Sequence, residues 1–247
     1  MRSKIGLNLT RNYSYNFSPT KRAKKLIKFI ILHYTGMRKE TDAIKKLCDY
    51  NSKVSSHYFI KNSGKILNLV PDLYEAWHAG KSKWKKFDSL NKYSIGIEIN
   101  NPGHEFGYNT FNLKQINSLK KLLSFLIKKY NIKVDNVLGH SDIAPDRKKD
   151  PGEKFPWKKL AKKRLCKWHN LNRKKIKKFR SISISAKEKK IFLNNLSKIG
   201  YNLKIKKIFD KNTRFIIIAY QRHFRQELID GKIDKECLLI SKNLIKS

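Results

Sequence analysis

Short apolar segments rich in β-branched residues alternate along this chain with an amphipathic segment, and this alternation limits the folds open to it. Residues 26–34, 94–100 and 134–139 have the composition of buried strands. Residues 112–130 instead repeat leucine and isoleucine at helical spacing, which is typical of a helix with one buried face. Strands interleaved with helices predict an α/β fold with a mixed β-sheet flanked by helices.

A purely helical pattern begins near residue 185. Ser185 and Glu188 match the capping box that starts a helix, and Gly200 matches a helix end. Two further helices are expected over 210–224 and 234–244, separated by an Asp-Gly turn. The sequence therefore predicts a small three-helix domain at the C-terminal end.

A strongly basic stretch joins the two patterns. Between Lys154 and Arg180 the sequence has thirteen basic residues and no acidic one. Apolar residues at helical spacing over 157–168 predict a helix docked on the α/β domain, and the remainder is expected to be a linker. We therefore divide the chain into an N-terminal extension (1–25), an α/β domain (26–169), a basic linker (170–184) and a helical domain (185–247).

The composition excludes several classes of protein. The chain has 247 residues, of which 40% are hydrophobic, enough to bury a core. No apolar run approaches the roughly 18 residues of a membrane span, so none is predicted. Three widely spaced cysteines indicate neither a disulfide framework nor a cysteine-rich zinc site.

The net charge of +38 at pH 7 suggests a polyanionic partner, but it does not identify one. Most of the basic residues are lysines, which cannot make the bidentate base contacts of arginine. Lysine also runs through every predicted element, as it would in a compositional bias towards Lys, Ile and Asn. Nucleic acid is therefore expected to bind only nonspecifically, if at all.

Two histidines and an aspartate are candidate metal ligands. His33 ends the first predicted strand, and His140 directly follows another. Asp150 comes ten residues later, in a loop that Pro151 and Gly152 could turn back towards His140. Two imidazoles and a carboxylate with a fourth position open are the ligand set of a catalytic zinc. By spacing alone, capping or loop roles for these histidines stay open.

Five motifs in order show that the sequence resembles the zinc-dependent N-acetylmuramoyl-L-alanine amidases of the type-2 family. The resemblance runs from about residue 12 to residue 168. The motifs are Ile30-Ile-Leu-His33-Tyr-Thr, Ser56-His-Tyr-Phe59, Ala76-Trp-His-Ala-Gly80, Ser94-Ile-Gly-Ile-Glu98-Ile-Asn100 and Gly139-His140-Ser-Asp-Ile-Ala-Pro145, the last continuing to Lys148-Lys-Asp150-Pro-Gly152.

The resemblance implies hydrolysis of the amide between N-acetylmuramic acid and L-alanine, with one Zn²⁺ per chain. It places the zinc ligands at His33, His140 and Asp150 and the catalytic acidic residue at Glu98. The catalytic lysine falls on Lys148, two residues before the ligand aspartate, although a shift of one residue would place it on the adjacent lysine.

Elementary chemistry agrees with these roles. A carboxylate on the apolar strand that carries Glu98 is costly unless it is used, and general base and then general acid is the expected use. Lys148 would stabilise the oxyanion that develops beside the metal. The alternatives are a partnered structural glutamate and a solvated loop lysine.

Substrate contacts are expected from Trp77, His78 and Asn100. The first two lie in a loop motif that lines the cleft in the family, and Asn100 follows Glu98 closely enough to orient a glycan or peptide amide. His57 is expected to be a buried structural residue or a partner of a ligand.

The C-terminal helices resemble the peptidoglycan-binding domain found beside wall hydrolases. The matching positions are mostly packing and turn residues, so a generic stabilising domain is the alternative. They are Leu196, Gly200, Tyr201, Phe209, Asp210, Thr213, Ala219, Gln221, Phe224, Gly231 and Asp234.

The expected partner is peptidoglycan or a muropeptide, and no protein partner is predicted. The basic N-terminus lacks the apolar stretch of a secretory signal, which favours the cytoplasm, whereas a wall-binding tail would favour the periplasm or cell envelope. Two other functions are kept open. They are a non-catalytic peptidoglycan recognition protein on the same fold and, less favoured, a nucleic-acid-binding protein.

Overall fold

The computed structural model describes residues 9–203 and 210–246, and its centre is a six-stranded mixed β-sheet. Two small antiparallel ribbons accompany this sheet. In the described residues the strands are β1 (Leu9–Arg11), β2 (Phe17–Ser18), β3 (Phe29–Tyr34), β4 (Tyr58–Ile60), β5 (Ile66–Asn68), β6 (Glu75–Ala76), β7 (Lys83–Trp84), β8 (Phe87–Asp88), β9 (Ser94–Ile99) and β10 (Val137–Gly139).

The strand order of the main sheet is β1-β5-β4-β9-β3-β10. Only β4 and β5 pair in antiparallel fashion, as a hairpin, and every other neighbouring pair is parallel. The central strands β3 and β9 are buried along almost their whole length. Burial on both faces of a sheet explains why these segments are continuous apolar runs, and the predicted mixed sheet is confirmed.

The predicted N-terminal extension contributes two short strands to the fold. β1 forms a parallel edge strand beside β5, and β2 pairs with β6. Strands of two or three residues are too short to show a periodic pattern, so only their partners reveal them. Residues 1–8 of the predicted extension lie outside the described part of the chain.

Eight α-helices occur in the described residues, and none of them is long and apolar enough to cross a membrane. The first begins at Glu40, directly after its N-cap residue Lys39. The helices are α1 (Glu40–Cys48), α2 (Leu113–Tyr130), α3 (His140–Ile143), α4 (Trp157–Ala161), α5 (Arg173–Lys177), α6 (Ala186–Ile199), α7 (Lys211–Phe224) and α8 (Lys235–Leu244).

Helix α2 covers one face of the sheet. Its leucine stripe, which includes Leu119 and Leu126, packs with Ile30 and Ile97 in one hydrophobic core. The helix begins at the predicted place, because Asn112 caps it and exchanges capping-box hydrogen bonds with the third residue of the helix. The amphipathic pattern therefore predicted both the helix and its buried face.

The C-terminal helices share a second core with the opposite face of the sheet. Ile31 of β3 and Leu138 of β10 belong to the same buried cluster as Phe192 of α6 and Tyr220 of α7. The close approach requires Gly200, since a Cβ there would lie 2.3 Å from the Trp84 ring. The helices occupy the predicted segments, whereas the domain boundary at residue 185 stays a prediction.

The basic stretch is more ordered and less helical than expected. The helix predicted over 157–168 is limited to α4, and the expected linker contains the one-turn helix α5. Arg180 holds the linker to α8 because its Nε and Nη2 donate to the Glu236 carboxylate at 2.6 and 2.8 Å. Pairing with distant acidic groups, which local sequence does not show, orders this segment.

Asp142 connects the C-terminal helices to the loop after β10. Its carboxylate accepts hydrogen bonds from the Tyr201 hydroxyl and the Gly139 N–H, at 2.7 and 2.8 Å. His223 Nδ1 lies 2.7 Å from the same carboxylate, and its ring stacks on Trp157 with centroids 3.8 Å apart. Helix α3 is therefore packed against the C-terminal part of the chain.

Candidate active site and metal centre

The three candidate metal ligands meet at one edge of the sheet. His33 lies near the carboxyl end of β3, and His140 directly follows the neighbouring parallel strand β10. The loop after α3 brings Asp150 back to both of them. His33 Nδ1 lies 3.0 Å from His140 Nδ1, and Asp150 Oδ2 lies 2.9 and 3.1 Å from these two nitrogens. All three side chains are buried.

This arrangement fits a zinc ion. Ligand atoms in tetrahedral coordination, with zinc bonds of about 2.0–2.1 Å, lie about 3.3 Å apart. The three observed separations are 2.9–3.1 Å, so a small outward movement of the side chains would accommodate the ion. Two imidazole nitrogens and one carboxylate oxygen are also the donors that catalytic zinc uses.

The electrostatics of the cluster favour the protonation states that metal ligands need. Burial, aided by the neighbouring His140, lowers the pKa of His33 to about 4, so its imidazole is neutral near pH 7. Burial by itself would raise the pKa of Asp150, but His140 and His33 beside it hold that pKa well below its usual range. A neutral imidazole and an ionised carboxylate can both bind a cation.

Glu98 stands beside the cluster on strand β9. The register pairs Glu98 with His33, which places both side chains on the same face of the sheet. Burial raises the pKa of Glu98 well above its usual range, and the charge of Asp150 raises it further. Among the described residues, none forms a hydrogen bond with the buried Glu98 Oε2. A carboxyl group in these surroundings holds a proton more strongly than an exposed glutamate does.

A cleft of about 360 Å³ opens above these residues. The candidate substrate residues Trp77 and His78 line it, together with Glu98 and the three candidate ligands. Asn100 does not line it. Its side chain accepts a hydrogen bond from Thr35 at 3.4 Å, and only 5% of the residue is exposed.

Both candidate lysines also line the cleft. They differ in their effect on neighbouring pKa values. The charge of Lys148 lowers the pKa of Glu98 and also contributes to the lowered pKa of His33. Lys149 is not among the main causes of either shift. The two lysines therefore differ in their electrostatic effect on the candidate site.

Several cleft residues had no support from the sequence. Arg147 lines the cleft and donates to the carbonyls of Ala79 and Lys81. At the rim, His104 lies 2.9 Å from the Tyr34 hydroxyl through Nδ1 and 3.1 Å from Glu153 through Nε2. No local motif marks these residues, because their partners are far away in the sequence.

Comparison with known proteins agrees with this geometry. The profile of the family described as N-acetylmuramoyl-L-alanine amidase matches residues 22–153, more than half of the chain. The chain belongs to this amidase family. The matched region contains the metal-ligand candidates and Glu98, so the family resemblance expected from the motifs is confirmed.

The related proteins match different shares of this chain. The amidase AmiD of Escherichia coli (strain K12) is 35% identical over 233 residues, which cover 89% of this chain and 83% of that protein. The 1,6-anhydro-N-acetylmuramyl-L-alanine amidase AmpD of Haemophilus influenzae is 36% identical over 111 residues, which cover 44% of this chain and 58% of that protein. The AmiD match thus extends well beyond the catalytic segment.

Solved structures share the whole architecture of this amidase. The complex of E. coli AmiD with anhydro-N-acetylmuramic acid-L-Ala-D-gamma-Glu-L-Lys superposes with a TM-score of 0.78 at 32% identity, covering 93% of this chain and 91% of that one. AmpDh3 of Pseudomonas aeruginosa superposes with a TM-score of 0.77 at 32% identity, covering 94% and 97%. The expected type-2 amidase fold is therefore confirmed.

Removal of a candidate ligand should abolish metal binding. We expect the purified amidase to contain one zinc per chain and the His140→Ala variant to contain almost none, since two ligands alone leave the ion weakly held. Elemental analysis by mass spectrometry after dialysis measures the zinc content.

His169→Ala provides the matched control, because His169 is also buried but is not part of the cluster. Full zinc content in the His140→Ala protein would show that zinc binds at another site.

Proposed function

We propose that this amidase is a zinc hydrolase that cleaves the bond between N-acetylmuramic acid and L-alanine. One Zn²⁺ per chain would be held by His33, His140 and Asp150. The observation that carries the proposal is the convergence of the three ligand atoms, which all lie within 4.8 Å of one another. Beside them lies the buried Glu98 Oε2, which has no hydrogen-bond partner in the described part of the chain.

The residues of the chain divide the chemistry among them. Bound zinc would polarise the scissile carbonyl and lower the pKa of a water molecule, which supplies the nucleophile. Glu98 takes the proton of the attacking water at its carboxylate and later gives a proton to the leaving amine. Its raised pKa suits the first step, because a carboxylate that burial has made more basic is a better proton acceptor than an exposed one.

Lys148 is proposed to stabilise the negative charge that develops on the carbonyl oxygen. Its position on the cleft wall and its electrostatic effect on Glu98 support this role. Lys148 is half-buried in the cleft wall, so its ammonium group interacts more strongly with nearby charges than it would in bulk solvent.

The substrate is proposed to be a muropeptide or peptidoglycan. The E. coli AmiD structure contains an anhydro-N-acetylmuramic acid peptide, and that protein superposes on nearly all of this chain. Lys46 and Arg147 add further positive charge to the cleft wall, which suits the free carboxylates of a stem peptide. Trp77 is proposed to contact the sugar or the peptide.

The three C-terminal helices are proposed to hold peptidoglycan. A recess of about 250 Å³ at the start of α7, lined by Lys211, Arg214 and Gly231 among others, supports this proposal. Of the matching residues named above, Phe209 lies outside the described part of the chain. A second weak contact with a polymer would raise the effective substrate concentration at the cleft.

Charge reversal in this recess tests the binding proposal. Arg214→Glu should weaken binding to purified sacculi severalfold at low salt and leave hydrolysis of small muropeptides unchanged. Lys198→Glu is the matched control, because Lys198 is also exposed, on α6, but does not line the recess. Equal sacculus binding by the two variants in a pull-down assay would argue for a purely stabilising role of the helices.

Glu98 provides the sharpest test of catalysis. Glu98→Gln keeps the shape of the side chain but cannot accept a proton, so hydrolysis should fall by about 10²–10⁴-fold. Zinc content should stay at the wild-type value. Product analysis of muropeptides by mass spectrometry measures the rate, and wild-type activity of the variant would favour the recognition-protein alternative on the same fold.

The two neighbouring lysines form a matched pair. Lys148→Met should lower the catalytic rate constant about 10²–10³-fold, since it removes a charge that stabilises the transition state. Lys149→Met removes the same charge one residue away and should change the rate constant only slightly. Steady-state kinetics on a soluble muropeptide compare the variants, and the opposite order would assign the role to Lys149.

A further inference from the structure

Each ligand histidine faces the proposed metal site through Nδ1. For Nδ1 to offer a lone pair, the proton of the neutral ring must sit on Nε2. The partner of Nε2 therefore decides whether the imidazole can bind the ion. The structure gives His33 and His140 partners on two consecutive residues, His78 and Ala79.

The partner of His33 is the end of a chain of hydrogen bonds. Ser94 donates its only hydroxyl hydrogen to the Leu90 carbonyl at 2.6 Å, so its oxygen must accept from His78 Nε2–H, 3.1 Å away. His78 Nδ1 then carries a lone pair and accepts from His33 Nε2–H at 3.0 Å. This sequence of donors leaves His33 Nδ1 free to bind a cation.

The partner of His140 is a backbone carbonyl. The Ala79 oxygen lies 3.1 Å from His140 Nε2 and can only accept a hydrogen bond. The proton of the neutral His140 ring therefore sits on Nε2, and its Nδ1 also offers a lone pair. The two Nδ1 lone pairs and the ionised Asp150 carboxylate then face one point. A cation at that point can bind all three groups.

Surrounding groups fix both residues in place. The Asn91 Oδ1 accepts from the N–H groups of His78 and Ala79 at 3.1 and 2.7 Å. Arg147 donates to the Ala79 carbonyl from the other side. Gly96 provides the space, because a Cβ at this position would lie 2.4 Å from His78 Cγ.

We propose that His78 and Ala79 are a positioning pair that sets the tautomer and orientation of both ligand histidines. Both ring nitrogens of His78 are engaged, and 9% of the residue is exposed, so it has no free polar atom to offer a substrate. The motif that suggested a substrate contact at His78 instead places a partner for His33. This inference rests on the zinc site proposed above.

The zinc affinity of a series of full-length variants tests the proposal. The dissociation constant is measured by competition with a chromogenic chelator, with zinc alone as the probe. His78→Ala should weaken zinc binding about 10–100-fold, as loss of such outer partners does in other metal sites. His78→Asn should recover most of the affinity, because its side-chain oxygen can accept from His33 near the position of Nδ1.

Ser94→Ala separates positioning from substrate contact. Ser94 is fully buried and does not line the cleft, so it cannot touch a substrate. Its loss should weaken zinc binding in the same direction as His78→Ala, though less. Ser94→Ala also decides the matter if the His78→Ala protein does not fold, and His169→Ala should bind zinc as the wild type does.

Two outcomes would overturn the proposal for His78 and Ala79, and a third would contradict the metal site on which it rests. Wild-type zinc affinity in both His78→Ala and Ser94→Ala overturns it. So does a raised KM for muropeptide in His78→Ala without weaker zinc binding, which would make His78 a substrate contact. Wild-type zinc affinity in His33→Ala would instead contradict the metal site itself, and therefore the proposed function.

Discussion

The parallel pairing of β3 with β9 and β10 is the constraint on which the site depends. It places His33 beside Glu98 and brings the end of β10, from which His140 follows, to the same edge of the sheet. A slip of one residue in either pairing would turn the side chains to the other face. Apolar cores on both faces of the sheet prevent such a slip, so packing far from the cleft holds the reacting groups together.

Burial has two opposite effects at this edge. It raises the pKa of Glu98 and lowers that of His33, which prepares one group to exchange a proton and the other to bind a cation. The same burial makes unsatisfied polar groups costly. Consequently the ligand histidines are paired with buried acceptors, and Asn91 and Ser94 hold the residues that provide these acceptors.

Only some of the basic residues behind the large positive charge have an identifiable role in the structure. A few basic residues organise structure, as Arg180 does through Glu236 and Arg225 through Asp234. Others concentrate at the cleft, where Lys46 and Arg147 join the candidate catalytic lysine. Much of the remaining lysine lies on exposed surface, where single charges contribute little to stability. The charge therefore suits an acidic substrate without determining the fold.

The sequence by itself determined the elements with strong periodicity and the motif residues of the site, since both are local properties. Helix α2, the central strands and the ligand candidates were all predictable in this way. Tertiary structure alone decided that Leu9–Arg11 joins the sheet, that Asn100 does not line the cleft and that the C-terminal helices cover the second face of the sheet. It also decided the partners of His78. These features depend on contacts between residues far apart in the chain, and no local pattern encodes such contacts.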